Sequence, residues 1–195
     1  DITPLKSLTK LTHLSIGYNN ITNISALGSL TKLTYLRIYG NNISNITPLS
    51  KLTALTDLAM YQNKVTTLTA LSGLTSLTKL TIGENNITDI SPLKTLVNLT
   101  DLRMYDTKVK DISSLSTLKK IEHFDAERCN IADISVIKNF TNLSFLLIKD
   151  QVITDTSEDF YTTTFSTANI VKGKTGERIT PSSMSNSGTH SSGTI

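Results

Sequence analysis

The chain has 195 residues, a formal net charge of +3, 38% hydrophobic residues and one Cys. That apolar share is too high for a disordered polymer, and no apolar run approaches the roughly 18 residues that a membrane span needs. A single Cys excludes an internal disulfide and a multi-Cys zinc site, and near-balanced charge with no basic cluster argues against nucleic-acid binding.

From its first residues the chain repeats itself every 22 positions. Residues 1–7 match the tail of a repeat, with Ile2 and Leu5 in its late apolar columns. Leu8, Leu30, Leu52, Leu74, Leu96, Leu118 and Phe140 then form one column. Leu14, Leu36, Leu58, Leu80, Leu102, Phe124 and Leu146 form another, and Ile16, Ile38, Met60, Ile82, Met104, Ala126 and Ile148 a third. This is the leucine-rich repeat pattern, in which no unit buries its own apolar side and stacked units bury one core. The pattern predicts a short strand in each coil, such as residues 13–17, with Leu14 and Ile16 inward and His13, Ser15 and Gly17 outward. Successive strands pair in parallel to make a concave sheet. The convex arm is a tight turn or short 3₁₀ segment, because Thr-Pro-Leu at 47–49 and Ser-Pro-Leu at 91–93 leave no room for a long helix. Asn19, Asn41, Asn63 and Asn85 follow the strands, where an inward amide can bond otherwise unpaired backbone. Thr107, Cys129 and Gln151 continue that column, so Cys129 reads as a buried ladder substitute rather than a reactive thiol.

The loop Asn-Asn-Ile-Thr-Asp-Ile-Ser-Pro-Leu at 85–93, with Leu-Thr-x-Leu-Thr-x-Leu before it, resembles the repeats of bacterial internalins. The resemblance covers about residues 1–154, some seven coils, with the N-terminal cap of the family absent. The family consists of surface or secreted adhesins and invasins of Listeria and related Gram-positive bacteria. The resemblance therefore implies a bacterial cell-surface or secreted location and a host-cell partner, protein or glycan, bound on the concave face by aromatic side chains. The repeat stops near Thr154, since Thr156 and Asp159 stand where apolar residues are due. Residues 168–185 resemble the opening strands of the immunoglobulin-like domain that follows internalin repeats, so 155–195 read as an incomplete all-β domain of that type, or else a linker. A solenoid with a bare first coil exposes its core, so the native protein is expected to extend in both directions.

The sequence holds no Gly-rich phosphate loop, no Ser elbow and no paired His on a helix, and no enzyme, cofactor or metal is expected. His13 and His123 share a column but stand five coils apart, roughly 24 Å at the usual strand spacing. Asp57, Lys79 and Asp101 are successive in that column and predict a self-neutralising ladder of alternating sign; Arg103 beside Asp125 and Glu127 beside Lys149 repeat the pattern. Eight Asn-x-Ser/Thr triplets fall out of the repeat wording and carry no glycan signal.

The candidate partner-binding residues lie in or just after the outward strand positions. They are Tyr18, Tyr35, Arg37, Tyr39, Tyr61, Arg103 and Tyr105, with Phe145 near the last coil beside Leu147. Tyr and Arg offer large rigid contact area with hydrogen-bonding tips, the composition of binding hot spots. Tyr39 and Tyr61 should lie side by side, whereas Gly17 and Gly83 in the same column should interrupt the patch. The expected partner is a macromolecule bound by a monomer, with no nucleic acid and no small-molecule substrate. An intracellular scaffold or a surface spacer without a receptor are the alternatives.

Overall fold

The computed structural model describes residues 1–151. The expected boundary at Thr154 and the immunoglobulin-like reading of 155–195 lie outside the described residues. Seven short strands form one parallel sheet in simple chain order. They are β1 (His13–Ser15), β2 (Tyr35–Arg37), β3 (Asp57–Ala59), β4 (Lys79–Thr81), β5 (Asp101–Arg103), β6 (His123–Asp125) and β7 (Phe145–Leu147). Each residue pairs with the one 22 positions later, as in Leu36 with Leu58 and Leu80 with Leu102.

The regular strand is three residues long rather than the expected five. The parallel pairing nevertheless continues past it, with Ile38 N–H donating to Ala59 C=O at 2.9 Å and Gln62 N–H to Gly83 C=O at 3.0 Å. What ends the strand is a left-handed residue in every coil: Tyr18 (φ 52°), Gly40 (61°), Gln62 (55°), Glu84 (51°), Asp106 (51°), Arg128 (49°) and Asp150 (54°). That conformation swings the chain off the sheet, and only one coil uses Gly for it.

The other arm of each coil is a 3₁₀ segment, from Thr3–Ser7 to Ser135–Asn139. Pro4, Pro48 and Pro92 stand in the first turn of theirs, where a missing N–H costs nothing. The residue two before each segment's second position supplies an acceptor: Asn23 to Ser25 N–H at 2.9 Å, Asn45 to Thr47 at 2.9 Å, and Asp111 to Ser113 at 2.7 Å.

Between the arms lies a continuous core in which Leu36, Leu58, Leu102 and Phe124 are wholly buried. Leu5, Leu11, Leu14 and Ile16 of the first coil are only partly buried against it. The asparagine column closes the hydrogen-bond ledger beside the sheet. Asn63 Nδ2 donates to the carbonyls of Ile38, Met60 and Tyr61 at 3.0–3.2 Å, and its Oδ1 accepts Ile43 N–H at 3.0 Å. Asn41 and Asn85 repeat the pattern one coil to either side. Gln151 does so in part, through Ala126 C=O and Ile131 N–H. Cys129 is fully buried as expected, with Thr107 Oγ1 at 3.2 Å, and burial pushes its thiol pKa up. A thiol held protonated in this way is a poor nucleophile.

Candidate functional site: a tyrosine row on the concave sheet

Alternation along each strand sends Leu and Ile inward and leaves the flanking positions on the hollow side. There the sheet carries one row of rings. Tyr18 meets Tyr39 edge-on, with centroids 5.1 Å apart and planes at 73°. Tyr39 stacks on Tyr61 at 4.6 Å and 12°, so the expected side-by-side pair is in place. Tyr61 lies 6.5 Å from Tyr105 at a tilt of 46°. Such pairs contribute about 0.5–1.5 kcal/mol each beyond their buried area, so the row is set before any partner arrives.

The expected interruption at Gly17 and Gly83 is not seen. A Cβ at Gly83 would stand 2.8 Å from the Tyr105 ring, and one at Gly17 2.5 Å from the Tyr39 ring. The missing side chains are the seats into which neighbouring rings lean, and this joins Tyr61 to Tyr105 across the coil between them. Tyr18 is the most exposed ring, at 69%, and holds a left-handed backbone that a bulky side chain seldom adopts. Burial, then the neighbouring hydroxyls, push the Tyr61 pKa well up; burial, then Glu84, push Tyr105 up to about 12. Both remain neutral donors throughout the physiological range.

Tyr35 and Arg37 form a second group beside the row. The Arg37 guanidinium lies 4.0 Å above the Tyr35 ring centre and forks onto Asp57 at 2.7 and 2.8 Å, while His13 stacks on Tyr35 at 5.6 Å. Arg103 forks onto Asp101 of its own strand at 2.9 and 3.0 Å. These pairings replace the expected Asp57–Lys79–Asp101 ladder, and Lys79 makes no ion pair among the described residues. A planar fork matches a carboxylate better than an ammonium does, and Tyr35 holds the Arg37 fork in place. Arg103 therefore faces Asp101 rather than Asp125. The expected pair Glu127–Lys149 is present at 3.0 Å. Phe145 lies in the Tyr35 column five coils away, against His123 at 5.7 Å, and does not join the row.

Asp57, Asp101 and Asp125 are organisers that the sequence reading did not nominate. Their signal was there in outward columns next to arginines. With Arg37, Lys79 and Arg103 they line a shallow hollow of about 470 Å³ walled by Tyr39, Tyr61 and Tyr105. Three cations face three carboxylates, so the hollow is polar without net charge when all are ionised. Burial pushes Asp125 up to about 6, further raised by Asp101 and Asp106, with Arg103 and Arg128 pulling the other way. Among the described residues no group of three His, Cys, Asp or Glu could hold a metal ion.

A family model for leucine-rich repeats (two copies) matches residues 9–50, 31–73 and 75–119. An internalin (InlF) of Listeria monocytogenes is similar in structure, with a TM-score of 0.75 at 39% identity over 80% of this chain and 46% of that one. A second, internalin C2 of the same species, gives 0.74 at 34% identity over 78% of this chain and 68% of that one. A leucine-rich repeat protein of Leptospira interrogans gives 0.71 at 24% identity over 75% and 39%, which bears on the fold alone. No curated protein matches. The chain thus spans about half the length of the first of these structures, 46%.

Proposed function

The chain belongs to the leucine-rich repeat proteins of the internalin type, and from that membership we propose that it holds a host macromolecule, protein or glycan, against the tyrosine row. Repeat scaffolds of this type serve in protein interaction. In this reading the protein is a non-enzymatic adhesin or invasin at the surface of a bacterium, or secreted by it. The observation that carries the reading is the unbroken run Tyr18–Tyr39–Tyr61–Tyr105, pre-stacked on a rigid sheet. Rings fixed in advance lose little entropy on binding, and the paired arginines beside them add oriented donors without a net field that would favour only charged partners.

The test is a pair of substitutions, Tyr39→Ser with Tyr61→Ser, in the complete chain. Both side chains lie on the solvent side of the sheet, so the melting temperature should stay near that of the parent. Retention of the host ligand from cell-surface extracts should fall at least about tenfold, as hot-spot truncations do. Unchanged retention with the fold intact would sink the proposal.

A further inference from the structure

The residues 3–11, 25–33, 47–55, 69–77, 91–99, 113–121 and 135–143 make up the 3₁₀ segment and following turn of each coil. None of these stretches contains an Asp or a Glu, and they carry lysine alone as a charged residue. No basic run is visible along the sequence, because the lysines are scattered singly or in one adjacent pair; only stacking brings them together.

The stacking is explicit. Ser29 Oγ donates to Lys6 C=O at 2.7 Å, Thr95 Oγ1 to Ser72 C=O at 2.7 Å, and Thr117 Oγ1 to Lys94 C=O at 2.7 Å. These cross-coil bonds bind the stretches into one flank. Lys6, Lys10, Lys32 and Lys51 are exposed on its first three coils. Lys94, Lys119, Lys120 and Lys138 are exposed on its last three. The uncharged coil 69–77 separates the two groups. None of the eight takes part in an ion pair among the described residues. Lys120 Nζ bonds Asn98 Oδ1 at 2.7 Å, and Asp133, the cap of Ser135, sits at the border and feels Lys138.

We infer that this flank is a docking surface for a linear acidic polysaccharide, one bearing sulfate or carboxylate groups along its length. Unpaired like charges in a strip condense counter-ions, and a polyanion that displaces them gains affinity. The strip follows the solenoid axis with hydroxyls and amides between the lysines, Ser50, Thr75 and Asn98 among them, which suits a hydroxyl-rich chain. The flank has no Arg and no exposed aromatic ring, the forks and stacking platforms on which nucleic-acid recognition depends. Its exposed large apolar side chains, Leu8 and Val97, stand four coils apart and make no patch for a bilayer. The surface is separate from the tyrosine row, so either proposal can fail without the other.

The experiment measures binding of the complete chain to a heparin oligosaccharide at about 0.15 M salt, with uncharged dextran, oligo-dT and anionic phosphatidylserine vesicles as comparisons. The flank variant carries Lys94→Ser, Lys119→Ser, Lys120→Ser and Lys138→Ser; the charge-matched control carries Lys64→Ser, Lys79→Ser, Lys108→Ser and Lys110→Ser. The flank variant is expected to bind heparin about tenfold or more weakly, with a shallower salt dependence, and the control to stay near the parent. Tyr39→Ser with Tyr61→Ser should leave heparin binding unchanged. Equal losses in flank variant and control, no binding by the parent, or tighter binding to oligo-dT or vesicles than to heparin would each overturn the inference.

Discussion

At the residue scale, the column after the strands is the most telling. Asn85 Nδ2 donates to the carbonyls of Met60, Ile82 and Gly83 at 3.0–3.1 Å, and its Oδ1 accepts Val65 N–H at 2.9 Å. Asn85→Ala should cost about 2–4 kcal/mol in denaturant unfolding, since it orphans four buried groups at once. Cys129 fills the same position with a sulfur that reaches Met104 C=O at 3.2 Å, and Val109 N–H is left without a side-chain acceptor among the described residues. Cys129→Asn should therefore restore a missing acceptor and stabilise the chain by about 1 kcal/mol, read as a shift in denaturation midpoint with the m-value unchanged. This column was legible in the sequence because an amide every 22 residues has one structural use here. The ring seats were not. A glycine in a tyrosine column reads as a gap until the neighbour's ring is seen leaning over it. Gly83→Ala tests the seat: the fold should hold, while the Tyr105 ring resonances shift in NMR spectra as the added methyl pushes the ring away from Tyr61.

At the scale of the element, each strand delivers two outward side chains, and the choice of partner lies in their reach. The sequence reading paired Asp57 with Lys79 because they are neighbours in register, which they are. Register names the neighbours of a carboxylate but not which one a long side chain selects. Arg37 won because it could fork onto Asp57 while lying on Tyr35. In β6 the burial of Asp125 has a consequence for stability. Its pKa of about 6 lies above the roughly 3.9 of an unfolded chain, so the folded state binds the extra proton between those values. Stability must then fall as pH rises through about 4 to 6, and the loss is complete above the folded pKa. Asp125→Asn keeps the oxygen that accepts Glu127 N–H and should remove that fall. The variant should melt above the parent at pH 7 and level with it near pH 4, and thermal melts at both values decide it.

At the scale of the molecule, coils touch only their neighbours, and stability is distributed accordingly. Leu102→Ala in the middle of the stack, where the side chain is wholly buried, should cost about 2–5 kcal/mol in urea unfolding. Leu14→Ala, in the half-exposed first coil, should cost distinctly less. The solenoid itself was readable in full from residue spacing, since strand, turn and core follow from one period. The lysine flank was not, because its members lie singly on successive coils and gather only when the turns stack. The alternation in β1–β7 separates two kinds of work within a single tripeptide: the middle residue fills the core, and the residues on either side touch nothing that the core requires. Substitutions at the outer two can thus accumulate without unfolding the scaffold, and a lineage can acquire a new partner by drift on that surface while inheriting its architecture unchanged.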